Sequence, residues 1–390
     1  MGAAGAGTAR RPGTRILRDV TFDRSALPPM DVADRSVRLR NRLDDAGCDA
    51  LLVTDLTNVR YLTGFTGSAA LLLLTPAGLV FVTDGRYRDQ AAAQLAGAGV
   101  AAEVRIGRSG DDQREHLAAA TAGIARLGLE AEHVTWAQQR RYADAWFPDA
   151  EFVATDGLVE DLRRFKDAGE VARISAACAI ADAALAAVRP RLGEGATEAE
   201  VALELEWQMR RLGADGPSFD TIVASGPNGA MPHHRAGERR ITDGDLVVID
   251  FGALVDGYHS DMTRTVLVGE GSDTQRRMLD AVTASQAAGV AAVRAGVEAR
   301  EVDEACRAVL RDVGWEDAFL HGTGHGVGLD IHESPRVAAN AAGSLADGHV
   351  VTVEPGVYLA EHGGVRIEDT VVVTSDGSRT LTLAPKDPSL

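Results

Sequence analysis

The sequence predicts an α/β fold in two domains, the second built as an internal repeat about a pseudo-twofold axis. Three observations carry this. The chain has 390 residues, too long for one ordinary core and right for two. Helical and extended patterns alternate from about Asp31 to Leu158, as in layered α/β domains. Beyond that point one segment matches a later one without gaps, at an offset of 104 residues.

Residues 1–30 are rich in Ala, Gly, Arg and Pro and read as a disordered leader without a chemical role. Arg10-Arg11 lacks the apolar stretch of a twin-arginine signal, and Ala6 stands where myristoylation needs Ser or Thr. The first domain then spans 31–160. Val37 to Ala46 reads as a helix closed by Gly47, and Ala50 to Thr54 as a buried strand. Ser68–Leu74 and Leu79–Thr83 read as strands joined by the turn Thr75-Pro76-Ala77-Gly78. Tyr87–Leu95 is helical, and Val100–Ile106, Leu127–Leu129 and Glu151–Ala154 are short strands.

The dense charge of residues 159–170 reads as a solvated connector. Asp167 with Glu170 makes a helix-start capping pair, and a long helix follows to about Val188, before Pro190. The second domain spans 166–390. Asp243-Gly-Asp-Leu-Val-Val-Ile-Asp250-Phe-Gly252 lines up with Asp347-Gly-His-Val-Val-Thr-Val-Glu354-Pro-Gly356. Each is a turn, a β-rich strand, a carboxylate, then glycine. Two helices precede each copy, 167–188 with 197–212 and 272–295 with 299–313. Thr197–Glu200 and Ser272–Gln275 are capping boxes, and Gly213 and Gly314 fall where helix ends need a left-handed residue. Each copy continues into a second strand with another acid, Asp261 and Glu368.

Paired about a twofold axis, the copies bring Asp250, Asp261, Glu354 and Glu368 to one centre. Acids at strand ends are usually solvated, but these occupy matching positions among apolar neighbours. Buried together they repel and take up protons. Two divalent cations balance the four negative charges. The alternative, that the acids are salt-bridge partners, does not explain the repeat.

Five of the ten histidines fall in the loops of this half. His325 lies in the glycine-dense run Gly322-Thr-Gly-His-Gly-Val-Gly, and His332 is seven residues on. His233, in Pro232-His233-His234, takes the corresponding place in the first copy. These three join the site. His116, His133, His259, His349 and His362 fall outside the pattern, and His234 and His321 are undecided.

An oxygen-rich centre with one imidazole suits Mn²⁺ better than a thiolate zinc cage, with Co²⁺ or Zn²⁺ as other candidates. Two such ions can activate water and polarise a carbonyl without a Ser or Cys nucleophile. No G-x-S-x-G elbow or catalytic-cysteine signature is present. The reaction class is metal-assisted amide hydrolysis, with an imidazole to protonate the leaving nitrogen.

These residues resemble the metal-dependent peptidases of the pita-bread fold, the group of methionine aminopeptidase, aminopeptidase P and prolidase. The resemblance covers roughly 166–380. It rests on Asp250, Asp261, His325, Glu354 and Glu368 in order, Pro232-His233, His-Gly-x-Gly-His at 321–325, Val-Glu-Pro-Gly at 353–356 and Arg-Ile-Glu at 366–368. It implies that Asp250 and Asp261 hold one side of a dimanganese centre and His325 and Glu354 the other, with Asp261 and Glu368 bridging. Glu368 takes up the proton of the attacking water, and His233 and His332 serve the substrate carbonyl and the leaving nitrogen. His321 and Arg366 become substrate-binding residues, His321 on the prolyl side.

Thr57–Phe65 and Asp84-Gly-Arg-Tyr87 resemble the creatinase/prolidase-like N-terminal domain of the aminopeptidase P and prolidase branch. This tilts the substrate to Xaa-Pro peptides, cleaved before proline as an aminopeptidase or dipeptidase. His234 departs from the pattern, since relatives often have Tyr there. Rival readings are a creatinase-like or ectoine-type hydrolase, a metal-dependent hydrolase of a non-peptide amide, and a non-catalytic binding protein on the same scaffold. The resemblance also implies a homodimer.

Forty Lys and Arg against 57 Asp and Glu give a formal charge of −17, which leaves no basic footprint for nucleic acid or an anionic membrane. No window holds 18 uncharged apolar residues; the richest, Ser68 to Val82, is interrupted by Thr75-Pro76 and Gly78. Cys48, Cys178 and Cys306 are odd in number and form no C-x-x-C pair, which fits a reducing cytoplasm.

Overall fold

The computed structural model describes residues 22–390. Residues 1–21, most of the expected leader together with the twin-arginine and myristoylation positions, lie outside them. Residues 22–30, counted above in that leader, pack against the body of the protein. Phe22 donates its amide to Leu212 O at 3.4 Å, Arg24 pairs with Asp215 at 2.6 Å, and Arg173 donates to Pro28 O at 2.9 Å.

The first half is a mixed six-stranded sheet. Its strands run Ala102–Ile106, Gly78–Thr83, Ala70–Thr75, Ala50–Val53, Arg126–Glu130, Glu151–Thr155 across the sheet. Ala50–Val53 is central and wholly buried, as its unbroken apolar run requires. The hairpin turns at Gly78, whose φ of 152° favours glycine. The first helix is shorter than expected, Arg35–Arg40, with turns carrying the chain on to Gly47. The segment Thr57–Phe65 is mostly helical. Asp55 caps Leu56–Thr63 by accepting from Thr57 N, and Gly64 ends it at φ 73°.

The solvated connector of 159–170 is not what forms. Val159, Leu162, Arg163 and Lys166 are all buried. Arg163 donates to Asn58 Oδ1 at 2.9 Å and Asp330 Oδ2 at 2.5 Å and also pairs with Glu333, to which Lys166 Nζ bonds at 2.9 Å. Burying a charge is costly unless it is paired. Here the connector's cations meet Asp330 and Glu333 of the second half and the Asn58 amide of the first, so it becomes a charged seam.

The capping box of Asp167 and Glu170 forms and starts the helix Ala168–Val188. This helix is long and apolar enough to match a bilayer, a feature the sequence reading did not single out. Half of the most apolar 18-residue stretch within Ala168–Glu194 is buried within the fold, and Ile174, Cys178 and Leu185 are core residues.

The repeat is realised as two similar layers. The helix Glu198–Arg211 serves the first copy, Asp273–Ala292 and Ala299–Asp312 the second, and both expected capping boxes form. Gly213 and Gly314 take φ of 111° and 80°. Leu246–Phe251 pairs antiparallel with Met262–Leu267, and Val350–Val353 with Asp369–Thr374. Each copy thus contributes a two-strand unit with an acid at or near the end of the first strand and another just before the second.

Candidate metal centre and active-site cavity

Strand geometry sets each carboxylate. In Leu246–Phe251 the neighbours Ile249 and Phe251 are buried in the core, and Asp250, with the opposite pleat, faces the cavity. It stands across from Thr263. Asp261 immediately precedes Met262–Leu267, Glu354 follows Val350–Val353, and Glu368 immediately precedes Asp369–Thr374. His325 is the middle residue of Gly324–Gly326. A Cβ at Gly324 would lie 2.0 Å from Thr352 O, so only glycine lets this strand come close enough to present the ring.

These five residues line one cavity of about 660 Å³, with His233, His321, His332, Arg336 and Arg366. One ligand atom each from Asp261, His325 and Glu368 lies within 4.8 Å of the others. His325 Nε2 is 3.5 Å from Asp261 Oδ2 and 3.6 Å from Glu354 Oε1.

The electrostatics call for cations. Burial, with Glu368, Asp250 and Glu354 nearby, pushes Asp261 well above the carboxylate range. Burial does the same to Glu368, helped by Glu354 and Asp250. Burial pushes Glu354 up to about 8 against the pull of Arg366. Burial holds His325 down at about 4, so its imidazole is neutral. Nδ1 lies 3.0 Å from Gly326 O, which can only accept. The proton therefore sits on Nδ1, and the Nε2 lone pair faces two carboxylate oxygens. Asp250 Oδ1 is buried without a hydrogen-bond partner. A lone pair and an unpartnered carboxylate oxygen converging on other carboxylates fit a divalent cation site.

Arg366 organises the wall behind these groups. It is buried, and donates to Asp250 Oδ2 at 2.6 Å, Tyr358 OH at 2.8 Å, Thr263 Oγ1 at 3.1 Å and Pro232 O at 3.4 Å. His321 lies 2.8 Å from Tyr358 OH through Nε2 and 2.9 Å from Gly322 O through Nδ1. Both its ring nitrogens are thus engaged, and it offers a ligand the ring rather than a hydrogen bond. Burial and Arg366 lower it to about 4. His233 and His332 are more open, and the rings of His332 and His325 meet edge-on at 4.4 Å.

Sequence reasoning missed Tyr358, Thr263 and Arg336. Thr263 donates to Glu368 Oε2 at 2.7 Å and fixes that carboxylate. Arg336 lies four residues after His332 in the strand Glu333–Val337, a spacing that returns it to the same side of an extended chain. Tyr358 has no comparable signal. Glu333, beside His332, is held by Arg163 and Lys166, so the loop bearing His332 is pinned to the seam.

An α/β chain with a carboxylate-rich, imidazole-bearing cavity between two repeated layers defines a metal-dependent hydrolase class. The chain belongs to metallopeptidase family M24, whose model matches residues 172–375, and a creatinase/prolidase N-terminal domain matches 35–165. It is 35% identical over 363 residues to an Xaa-Pro dipeptidase of Pyrococcus horikoshii, covering 92% of this chain and 99% of that one. It is 42% identical to the uncharacterized peptidase YqhT of Bacillus subtilis, covering 90% and 98%. The solved structure of an Xaa-Pro dipeptidase from Bacillus anthracis superimposes with a TM-score of 0.87 at 40% identity, over 92% of this chain and 99% of that one.

Proposed function

We propose that this enzyme hydrolyses the peptide bond preceding proline and releases the N-terminal residue. The observation that carries this is the single cavity in which Asp250, Asp261, His325, Glu354 and Glu368 meet His233 and His332. Asp250 and Asp261 would hold one divalent cation and His325 and Glu354 another, with Asp261 and Glu368 reaching both. Such ions supply Lewis acidity toward the scissile carbonyl and a water acidified to near neutrality. The oxygen-rich donor set favours Mn²⁺.

The chain's own groups do the rest. Glu368 lines the cavity with its Oε2 fixed by Thr263 Oγ1 at 2.7 Å, which places it to take the proton of the attacking water. His233 and His332 orient the substrate carbonyl and deliver a proton to the prolyl nitrogen. That nitrogen carries no N–H in the peptide and leaves as an amine only once protonated. The C–N bond breaks, the acyl carbon gains the water oxygen, and the free proline nitrogen gains the proton. The ring of His321 shapes the wall. Arg366 orients Asp250 and Tyr358 rather than offering its whole guanidinium to substrate.

Arg336 favours dipeptides. It lines the cavity, is exposed, and has no ion-pair partner among the described residues. A cation there matches the free carboxylate of a terminal proline. The reading includes a homodimer, a cytoplasmic setting consistent with three buried free thiols, and peptides rather than nucleic acid or membrane as partners.

The test is a Mn²⁺-supplemented panel of Xaa-Pro dipeptides, Xaa-Pro-extended peptides, Xaa-Ala dipeptides and non-peptide amides. Release of the residue before proline, fastest from dipeptides, is expected. Equal turnover of Xaa-Ala, or turnover of non-peptide amides alone, overturns the reading in favour of another hydrolase on this scaffold. Metal-loaded protein that binds but cleaves nothing would mark a binding protein.

A further inference from the structure

The sequence left His234 undecided. In the fold its Nε2 lies 2.9 Å from Glu198 Oε2. Glu198 is the first residue of the helix Glu198–Arg211 and is fully buried. Besides His234, its carboxylate accepts from Ser225 N at 2.8 Å, Ser225 Oγ at 2.7 Å, Asn228 Nδ2 at 2.9 Å and Gly237 N at 3.2 Å. All five donors belong to residues 225–237, the loop that carries His233.

A buried carboxylate with this many donors sits in one place. Burial alone would raise its pKa, but the bonds from Ser225, Asn228 and His234 hold it below the usual range, so it stays charged. Ser225 Oγ also accepts from Arg239 at 2.6 Å, and Arg239 is paired with Asp245. The far side of the loop rests on the strand Gly363–Arg366, where a Cβ at Gly229 would come within 3.0 Å of Gly364 N. Arg366 reaches Pro232 O from the same strand. The second copy uses the same device. Buried Asp303, on the helix Ala299–Asp312, accepts from Thr323 N and Thr323 Oγ1 at 3.1 and 2.9 Å, just ahead of His325.

We propose that Glu198 is a positioning residue for the reaction, gripping the 225–237 loop through His234, Ser225 and Asn228 so that His233 is held at the cavity. The proposal rests on the reading of His233 given above. Glu198 touches no substrate. It acts by removing the freedom of the loop that carries an imidazole, and small displacements of such groups cost large factors in rate.

The experiment is a double-mutant cycle on Xaa-Pro hydrolysis with Glu198→Gln, His233→Ala and their combination, metal content being measured throughout. Glu198→Gln is expected to lower kcat about 10- to 100-fold at unchanged metal content and with KM little altered. In the His233→Ala background the same change should cost no more than about twofold, because the two residues act as a unit. Full additivity overturns the proposal, since a merely structural role weakens both backgrounds alike. Should Glu198→Gln fail to fold, His234 decides. His234→Gln, which keeps a donor toward Glu198, should stay within about twofold of the parent. His234→Phe should lose about tenfold or more, and parental kcat in His234→Phe overturns the tether. If His233→Ala itself keeps full kcat, the role assigned to His233 fails first, a result distinct from additivity.

Discussion

Arg366 is ion-paired to Asp250 through Nη2–Oδ2 at 2.6 Å, with both side chains largely withdrawn from solvent. One oxygen of Asp250 is thereby committed, and the other, Oδ1, is left buried and unpartnered. The same guanidinium runs through Tyr358 OH to His321. One residue thus couples a candidate metal ligand to the wall where the substrate would rest.

Arg366→Lys replaces a forked donor with a single ammonium that cannot serve Asp250, Tyr358 and Thr263 at once. kcat is expected to fall about 10- to 100-fold, the range for lost supporting contacts around a metal site. Steady-state kinetics with parallel metal analysis checks this. Undiminished kcat would mean that Asp250 needs no such support.

Glu368→Ala should reduce kcat about 10²- to 10⁴-fold, the usual worth of a positioned acid–base group. Turnover is measured at saturating Mn²⁺, with bound metal quantified in the same sample. Full activity at normal metal content removes Glu368 from the proton path.

Chelation should lower the melting temperature, since a ligand that binds only the folded state stabilises it. The metal-free protein should also show a distinctive pH trend. Glu354 is raised to about 8 in the fold, and Asp261 and Glu368 are raised too. A raised carboxyl contributes its stability in full below its unfolded value and loses it as pH climbs through the folded value. Metal-free protein should therefore melt progressively lower from about pH 4.5 to about pH 8, and metal-loaded protein should not. Melting curves across that range, with and without metal, decide it. A flat metal-free profile argues against a buried carboxylate cluster.

Arg163→Met strips Glu333 and Asp330 of a cation at the seam and should destabilise the fold by about 3–5 kcal/mol, as for other broken buried pairs. Denaturant titration measures this. The pH sign here is the reverse. Lys166 and Arg163 outweigh burial and lower Glu333 to about 2. Its stabilisation is present above the unfolded value and drains away as pH falls toward about 2. The variant should lose part of that acid dependence along with the stability, since Lys166 still holds Glu333.

Arg336→Met should lower kcat/KM for Xaa-Pro dipeptides by about 10- to 100-fold, matching 1.5–3 kcal/mol for a charge-assisted bond. Xaa-Pro-extended peptides, which lack a carboxylate at that position, should change little. Equal losses on both substrates would detach Arg336 from dipeptide preference.

Much of the architecture was readable locally. Capping boxes at Asp167, Thr197 and Ser272 are short-range patterns, and the structure forms all three. The self-match at offset 104 likewise appears as two similar strand pairs, because the same turn and β-rich pattern recurs in both. The acids were found because they sit at fixed places in that repeat, and His325 because it stands in a glycine-dense run. Residues 159–166 were misread because charge density alone does not tell a solvated face from a seam, and Arg163 gains its partners Asn58 and Glu333 over 105 and 170 residues of chain. Tyr358, Thr263 and Glu198 escaped notice for the same reason: their meaning lies in what they meet.

The sequence by itself determined the periodicities, the helix ends, the duplication and the ordered set of acids and imidazoles, because each is written in residues near one another along the chain. Only the tertiary structure decided that Asp261, His325 and Glu368 share one small volume, that Arg366 spends itself on Asp250, and that Glu198 holds the loop of His233. Those outcomes depend on which distant groups are buried together, and a buried charge is tolerated only where folding brings it a partner.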